Sequence, residues 1–292
     1  MARLVVTGSA GMLGQAVAAA ANAAGHDAVA LNHGALEITD AAACEAAIVA
    51  ANPSALINCA AWTDVDGAEA AEAAATAING GGAANLAAAC AANGVRMIQL
   101  STDYVFDGSA SGPYLESAPV APQSAYGRSK LAGEEATVAA GGDYAIVRTA
   151  WLFGYGGTNF VDTILALARE RASIAVVTDQ IGSPTWTGHL AAALVALAEA
   201  TSQGIFHIAG SGSCSWFELA SAALEAAGSE CEVTAVTSEA FPRAAKRPAN
   251  SVLASERGAE AIVLPDWRVG LAGHLLATGV IDSSASAAAG AQ

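Results

Sequence analysis

Short apolar segments alternate with alanine-rich ones through the first half of the chain, and that alternation limits the fold more than any other feature of the sequence. The apolar segments are Arg3 to Thr7, Asp27 to Leu31, Ala55 to Asn58, Val95 to Ser101 and Tyr144 to Thr149. Nearly every position in them is apolar, the pattern of strands covered on both faces. Between them lie stretches of helical propensity, about Gly11 to Ala24, Ala41 to Ala51, Ala74 to Ala92 and Ser124 to Ala139. Such alternation implies an α/β fold in which helices flank a parallel sheet.

After Thr149 the pattern loosens. A loop at Phe153 to Thr158 leads to a helix at Asn159 to Arg171, a strand at Ile174 to Val177 and a polar turn at Thr178 to Pro184. A helix at Thr187 to Ala200, a strand at Gly204 to Ala209 and a helix at Ser215 to Ala227 follow. Loop-rich chain from Val233 to Ser251 precedes a closing helix near Trp267 to Thr278. The expected organisation is a first domain over 1–150 and a smaller portion over 151–282, some of whose segments return to the sheet. Ser283 to Gln292 holds only Ser, Ala, Gly and Gln and is expected to be disordered.

Composition removes several classes of function. The 12 Lys and Arg against 27 Asp and Glu give a net charge of −15, whereas a nucleic-acid binder needs clustered cations. The chain is 54% hydrophobic with a mean hydropathy of +0.42. Alanine supplies most of this, and the most apolar stretch, Leu190 to Ala198, falls far short of the roughly 18 residues of a membrane span. Met1-Ala2-Arg3 runs directly into the first strand, leaving no apolar region for a signal peptide. The expectation is a cytoplasmic protein with no membrane or nucleic-acid partner. Cys44, Cys59, Cys90, Cys214 and Cys231 form no Cys-x-x-Cys pair, so they read as small buried hydrophobes and no metal site is expected.

Gly8-Ser9-Ala10-Gly11-Met12-Leu13-Gly14 follows the first strand and opens the first helix. Glycines there permit a tight turn that brings backbone amides and the helix N-terminus to a pyrophosphate. The spacing is Gly-x-x-Gly-x-x-Gly, not the Gly-x-Gly-x-x-Gly of the usual dinucleotide fingerprint, so its position carries the reading. The end of the second strand should read the adenosine ribose, where an acid suits a free 2′-hydroxyl and an Arg a 2′-phosphate. Leu31-Asn32-His33 offers neither. NADPH is the expected cofactor with NADH possible, and His33 reads equally as a solvated loop residue.

Tyr126 and Lys130 stand four residues apart at the start of a helix, on one face. An ammonium near a phenol favours the phenolate, so the pair is expected to lower the Tyr126 pKa toward working pH, as suits a proton donor in carbonyl reduction. Ser101 and Thr102 end a strand at the sheet edge where open α/β folds bind ligands. From there Thr102 could hydrogen-bond the carbonyl oxygen that Tyr126 protonates. Separately, Arg243, Lys246 and Arg247 place three cations within five residues. On an acidic surface such a cluster is expected to clamp a nucleotide diphosphate.

With Asn58-Cys59-Ala60-Ala61-Trp62-Thr63-Asp64-Val65-Asp66, Ser101-Thr102-Asp103-Tyr104-Val105-Phe106 and Tyr126-Gly127-Arg128-Ser129-Lys130-Leu131-Ala132-Gly133-Glu134, the chain resembles the extended short-chain dehydrogenase/reductase family. Within it, Arg148-Thr149-Ala150-Trp151-Leu152-Phe153, Asn159-Phe160, Asp179-Gln180-Ile181-Gly182-Ser183-Pro184-Thr185 and Arg247-Pro248-Ala249-Asn250-Ser251 look like the dTDP-4-dehydrorhamnose reductase family. The resemblance covers nearly the whole chain before its tail. It implies a Rossmann-type doubly wound parallel sheet with a smaller C-terminal substrate-binding portion, in a monomer or homodimer.

The reaction implied is NAD(P)H-dependent reduction of the C4 keto group of dTDP-4-dehydro-L-rhamnose to dTDP-L-rhamnose. Thr102, Tyr126 and Lys130 would form the catalytic set, Tyr126 as proton donor and Lys130 also holding the nicotinamide ribose. Gly8, Gly11, Met12, Leu13 and Gly14 would face the pyrophosphate, Asn32 the adenosine, and Glu37 and Ile38 the adenine. Ala60, Ala61, Trp62 and Thr63 would line the cofactor groove, and Thr102, Asp103, Trp151, Asn159 and Arg247 match sugar-nucleotide positions. Asn32 stands where members often carry Asp or Arg, Trp62 where His or Tyr is frequent, and Gly80-Gly81-Gly82 departs from the pattern. Two alternatives share the scaffold: a nucleotide-sugar epimerase or dehydratase, and a non-catalytic regulatory subunit. Dehydratases carry Glu after the Thr-Asp pair where this chain has Tyr104.

Overall fold

The structure, a computed structural model, describes residues 1–282, so the tail expected to be disordered lies outside the described residues. Five strands fall close to the apolar segments: β1 (Arg3–Thr7), β2 (Asp27–Leu31), β3 (Ala55–Asn58), β4 (Arg96–Thr102) and β5 (Tyr144–Thr149). A sixth, Gly204–His207, joins them from the second half of the chain, and the parallel sheet runs Gly204–His207, β5, β4, β3, β1, β2. Val5 of β1 is in register with Val29 of β2 and with Leu56 of β3. The chain leaves β1 toward β2 and then crosses to β3 on the other side. That reversal opens a crevice at the carboxyl ends of β1 and β3, where doubly wound sheets bind ligands.

Helices cover both faces, because successive strand residues point to opposite sides. Leu4 and Val6 pack with Val17 of α1 (Met12–Ala23) and with Leu190 and Leu194 of α8 (Thr187–Glu199). On the other face Val5, Leu56 and Met97 meet Ile48 of α2 (Ala41–Ala51) and Leu86 of α5 (Ala83–Ala92). A second core joins α7 (Phe160–Ala168), α9 (Trp216–Ala226) and α10 (Trp267–Ala277) around Ile164, Leu219, Trp267 and Leu271. No described helix is long and apolar enough to cross a membrane.

Three stretches depart from expectation. A short α3 (Val65–Ala70) precedes the single helix expected over Ala74 to Ala92, which is itself three pieces: the end of α4 (Glu72–Thr76), a π-helical turn at Ala77–Gly82, and α5. Two glycines of the triple sit at tight contacts. A Cβ on Gly82 would fall 2.5 Å from Ile38 Cδ1, and one on Gly80 3.1 Å from Ala132 Cβ of α6 (Ala125–Ala139), so these glycines let the segment lie close to its neighbours. The expected loop from Val233 contains most of a strand, Glu232–Val236, paired in parallel with Ser173–Val177. The polar turn at 178–184 likewise contains Ile181–Gly182, antiparallel to Cys214–Ser215. Of the cysteines, Cys44, Cys90 and Cys214 are buried, while Cys59 and Cys231 are only partly so.

Candidate active site

The crevice is a cleft of about 930 Å³ along the carboxyl ends of β1, β3, β4 and β5. Its first wall is the glycine turn. Gly8 holds φ +63°, and a Cβ there would sit 2.6 Å from Ala60 N; one on Gly14 would sit 2.3 Å from Gly8 O. Only residues without side chains let the β1–α1 turn approach the β3 end this closely. The N-cap of α1, Gly11, supplies no side-chain hydrogen bond, whereas Asp40, Ser124 and Asn159 cap α2, α6 and α7. The first amides of α1 thus open beside cleft-lining Gly11, Met12 and Leu13, a setting that suits an anion.

The opposite wall is a braced frame. Thr7 Oγ1 donates to Asn58 Oδ1 at 2.6 Å, Asn58 Nδ2 donates to Gln99 Oε1 at 2.8 Å, and the same Asn58 oxygen accepts from Ala60 N at 3.1 Å. Asn79, in the π-helical turn, accepts from Trp62 N and donates to Trp62 O and to Ser129 Oγ. It ties the Ala60–Thr63 segment to α6, and nothing in the sequence spacing pointed to it. Gln15 Nε2 reaches across the cleft mouth from α1 to Gly156 O at 3.1 Å, bringing Gly156, Gly157 and Thr158 into the lining.

Tyr126, Lys130, Thr102 and Asp103 all line the middle of this cleft. Ser124 starts α6 by accepting from Gly127 N, which sets Tyr126 and Lys130 one turn apart on the buried side. The Lys130 ammonium donates to Leu100 O at 2.6 Å. Burial pulls its pKa down to about 8, against the opposing charge of Glu134. The expected depression of Tyr126 is not found. Burial raises the phenol above its ordinary value, the Thr102 hydroxyl opposes this, and Lys130 spends its hydrogen bond on the backbone. Asp103, wholly buried, is pushed up to about 6, with Thr102 Oγ1 donating to its Oδ1 at 3.0 Å. Trp151 lines the same cleft at φ +47°, a conformation costing a bulky residue of order 1–3 kcal/mol.

Five expected residues do not line the cleft: Gly14, Asn32, Trp62, Asn159 and Arg247. Gly14 packs beneath the turn. Asn32 Oδ1 accepts from Ala35 N and shapes the loop after β2, leaving His33 on the wall. Trp62 packs behind Tyr126 in a small cluster with Ala68, Ala75 and Ala125, its indole donating to Asp64 O. Asn159 caps α7 and donates to Gly154 O, so it holds the loop whose glycines line the cleft. Arg247 donates to Asp66 Oδ2 at 2.9 Å and to the Tyr104 hydroxyl at 3.1 Å. The Tyr104 ring in turn meets Tyr126 edge-on with centroids 5.7 Å apart. Trp216 lines the cleft and was not expected there.

The description "RmlD substrate binding domain" matches residues 2–278. A dTDP-4-dehydrorhamnose reductase of Mycobacterium tuberculosis is 46% identical over 94% of this chain and 93% of its own length. The spore coat polysaccharide biosynthesis protein SpsK of Bacillus subtilis is 39% identical over 94% and 97%. Among solved structures, a dTDP-4-dehydrorhamnose reductase of Bacillus anthracis in complex with NADP superposes with a TM-score of 0.92 at 36% identity, covering 94% of this chain and 99% of that one. The resemblance carried by the motifs is thereby borne out: this chain belongs to the dTDP-4-dehydrorhamnose reductase family, oxidoreductases within the extended short-chain dehydrogenases/reductases.

Proposed function

We propose that the enzyme reduces the C4 keto group of dTDP-4-dehydro-L-rhamnose to give dTDP-L-rhamnose, using NADPH or NADH. The observation that carries this reading is the convergence of Tyr126, Lys130 and Thr102 in one cleft between the glycine turn and Trp151. A bound reduced nicotinamide supplies the hydride. Gly8, Gly11, Met12 and Leu13 hold the pyrophosphate against the α1 N-terminus, His33, Glu37 and Ile38 border the adenosine, and Lys130 holds the nicotinamide ribose. Tyr126 gives its proton to the sugar oxygen as charge develops, and Thr102 steadies the same oxygen. Residues 1–150 chiefly take the dinucleotide and 151–282 the sugar nucleotide, with Asp103 meeting the sugar from the first part and Trp151 from the second. Arg247 acts on the site through the cleft-lining Tyr104, whose hydroxyl it hydrogen-bonds.

The test supplies dTDP-4-keto-6-deoxysugar and follows oxidation of the reduced cofactor against product. One equivalent consumed per product is expected. A cofactor recycled without net oxidation, as in an epimerase or dehydratase, would overturn the reading.

Cofactor preference provides a second prediction. Among the residues lining the cleft, Lys130 is the sole Lys or Arg, and the adenosine end carries His33 and Glu37, 3.5 Å apart. Hydrogen bonds from the Thr39 amide and hydroxyl keep the Glu37 carboxyl below its ordinary pKa, hence ionised. An added cation should therefore favour a 2′-phosphate strongly. His33→Arg is expected to raise the NADPH-to-NADH affinity ratio about tenfold, measured by calorimetric titration of each cofactor. An unchanged ratio would place the ribose elsewhere.

A further inference from the structure

Trp151 and Trp216 stack with ring centroids 3.5 Å apart and planes 2° from parallel, and both line the cleft. A near-eclipsed sandwich is the aromatic arrangement that ring quadrupoles favour least. Trp151 combines it with a left-handed backbone at φ +47°. Two unfavourable features in one cleft residue persist only where the surroundings dictate them.

Those surroundings are visible. Trp151 O accepts from Thr185 N at 3.1 Å, and Gly182 passes so close that a Cβ on it would fall 2.3 Å from Trp151 Cε2. Trp216 is itself clamped. Its indole N–H donates to Gln180 Oε1 at 3.2 Å, and the Phe160 ring lies 4.5 Å away. Gln180 Nε2 donates to Ser238 Oγ at 2.7 Å, and that hydroxyl donates to Asp179 Oδ1 at 2.7 Å. Trp216 sits at the first position of α9, so a rigid helix terminus presents one face of the stack.

We infer that Trp216 is a positioning residue for the sugar nucleotide, acting through Trp151: it fixes the strained indole as a flat wall against which the keto sugar is oriented. The inference rests on the reading that the cleft takes a sugar nucleotide and that Trp151 meets it.

The experiment is a double-mutant cycle with Trp151→Ala, Trp216→Ala and the pair, adding Trp216→Phe. It reads KM and kcat for the keto sugar and the calorimetric Kd for NADPH, the latter confirming that each variant is folded. Each single alanine variant is expected to raise the sugar KM about tenfold while leaving the NADPH Kd within about twofold. Replacing Trp216 in the Trp151→Ala background should add less than about twofold, and Trp216→Phe should recover most of the loss, because it keeps an aromatic face. Near-UV circular dichroism should lose the signature of the stacked pair in either single variant.

If Trp151→Ala raises KM and Trp216→Ala does not, the inference fails and the reading of the cleft survives. Fully additive losses would overturn it differently, because Trp216 would then touch substrate itself. No effect from either alanine variant would remove the sugar-binding reading and the inference with it.

Discussion

Tyr126→Phe is expected to lower kcat by about three orders of magnitude while leaving the Kd for NADPH within about twofold. In the proposed mechanism the phenol gives the proton, and its burial keeps that proton on: its pKa lies above the ordinary value, raised further by Asp103 and Tyr104 and lowered by Thr102. Removing one oxygen deletes the donor while the ring keeps its packing beside Trp62. The same geometry fixes the pH dependence. The proposed mechanism needs Lys130 as an ammonium, and its pKa of about 8 is the lower of the two. Raising the pH through 8 removes the cation first, so kcat/KM should be level between the Asp103 value of about 6 and 8 and fall above 8, with Tyr126 still protonated. Lys130→Arg, which cannot lose its charge in this range, should move the falling limb upward even if the plateau is lower. An alkaline limb near 10 in the wild type, or turnover retained by Tyr126→Phe, would sink the assignment.

How much of this was legible in the sequence depends on how local each cause is. β1, β3, β4 and β5 could be read because strands buried on both faces are apolar at nearly every position, and the half-buried edge strand β2 because its short apolar run fits the same alternation. Glu232–Val236 could not, since Glu and Thr interrupt it and its partner, Ser173–Val177, lies some sixty residues earlier. Tyr126 and Lys130 were legible because one helical turn brings them together whatever the rest of the chain does. Their electrostatics were not. The hydrogen bond of Lys130 goes to the carbonyl of Leu100, on a different element, and burial rather than the lysine governs the phenol.

The loop cations show the same division. Their clustering stands in the sequence, but the partners of Arg247, Asp66 and Tyr104, come from chain more than a hundred residues upstream. Trp216 was invisible for that reason too, since it stacks on Trp151, far earlier in the chain. Asn79 looked like part of an alanine-rich helix, and only the π-helical turn aims its amide at Trp62 and Ser129.

Arg148→Met is expected to destabilise the protein by about 3–5 kcal/mol, lowering Tm by roughly 10 °C. Arg148 on β5 and Glu134 on α6 form a forked pair, Nε to Oε1 at 2.9 Å and Nη2 to Oε2 at 2.7 Å, with side chains only 3% and 4% exposed. The Ser101 hydroxyl donates to the same carboxylate, and the guanidinium lies over the Phe106 ring. Deleting the arginine leaves the buried carboxylate with one hydroxyl as hydrogen-bond partner and the Lys130 ammonium as its remaining counter-charge, and that poorly compensated charge, more than the lost attraction, sets the cost. If so, the double variant Arg148→Met, Glu134→Leu should recover most of the loss, because neither charge remains to be solvated. The consequence reaches the active site, since α6 carries Tyr126 and Lys130, and β4 carries Thr102 in register with Thr149 beside Arg148. Thermal unfolding of the three proteins, wild type, Arg148→Met and the double variant, without cofactor separates the contributions. A single variant within 1 kcal/mol of wild type, or a double variant no more stable than the single, would show that the pair does not hold α6 against the sheet.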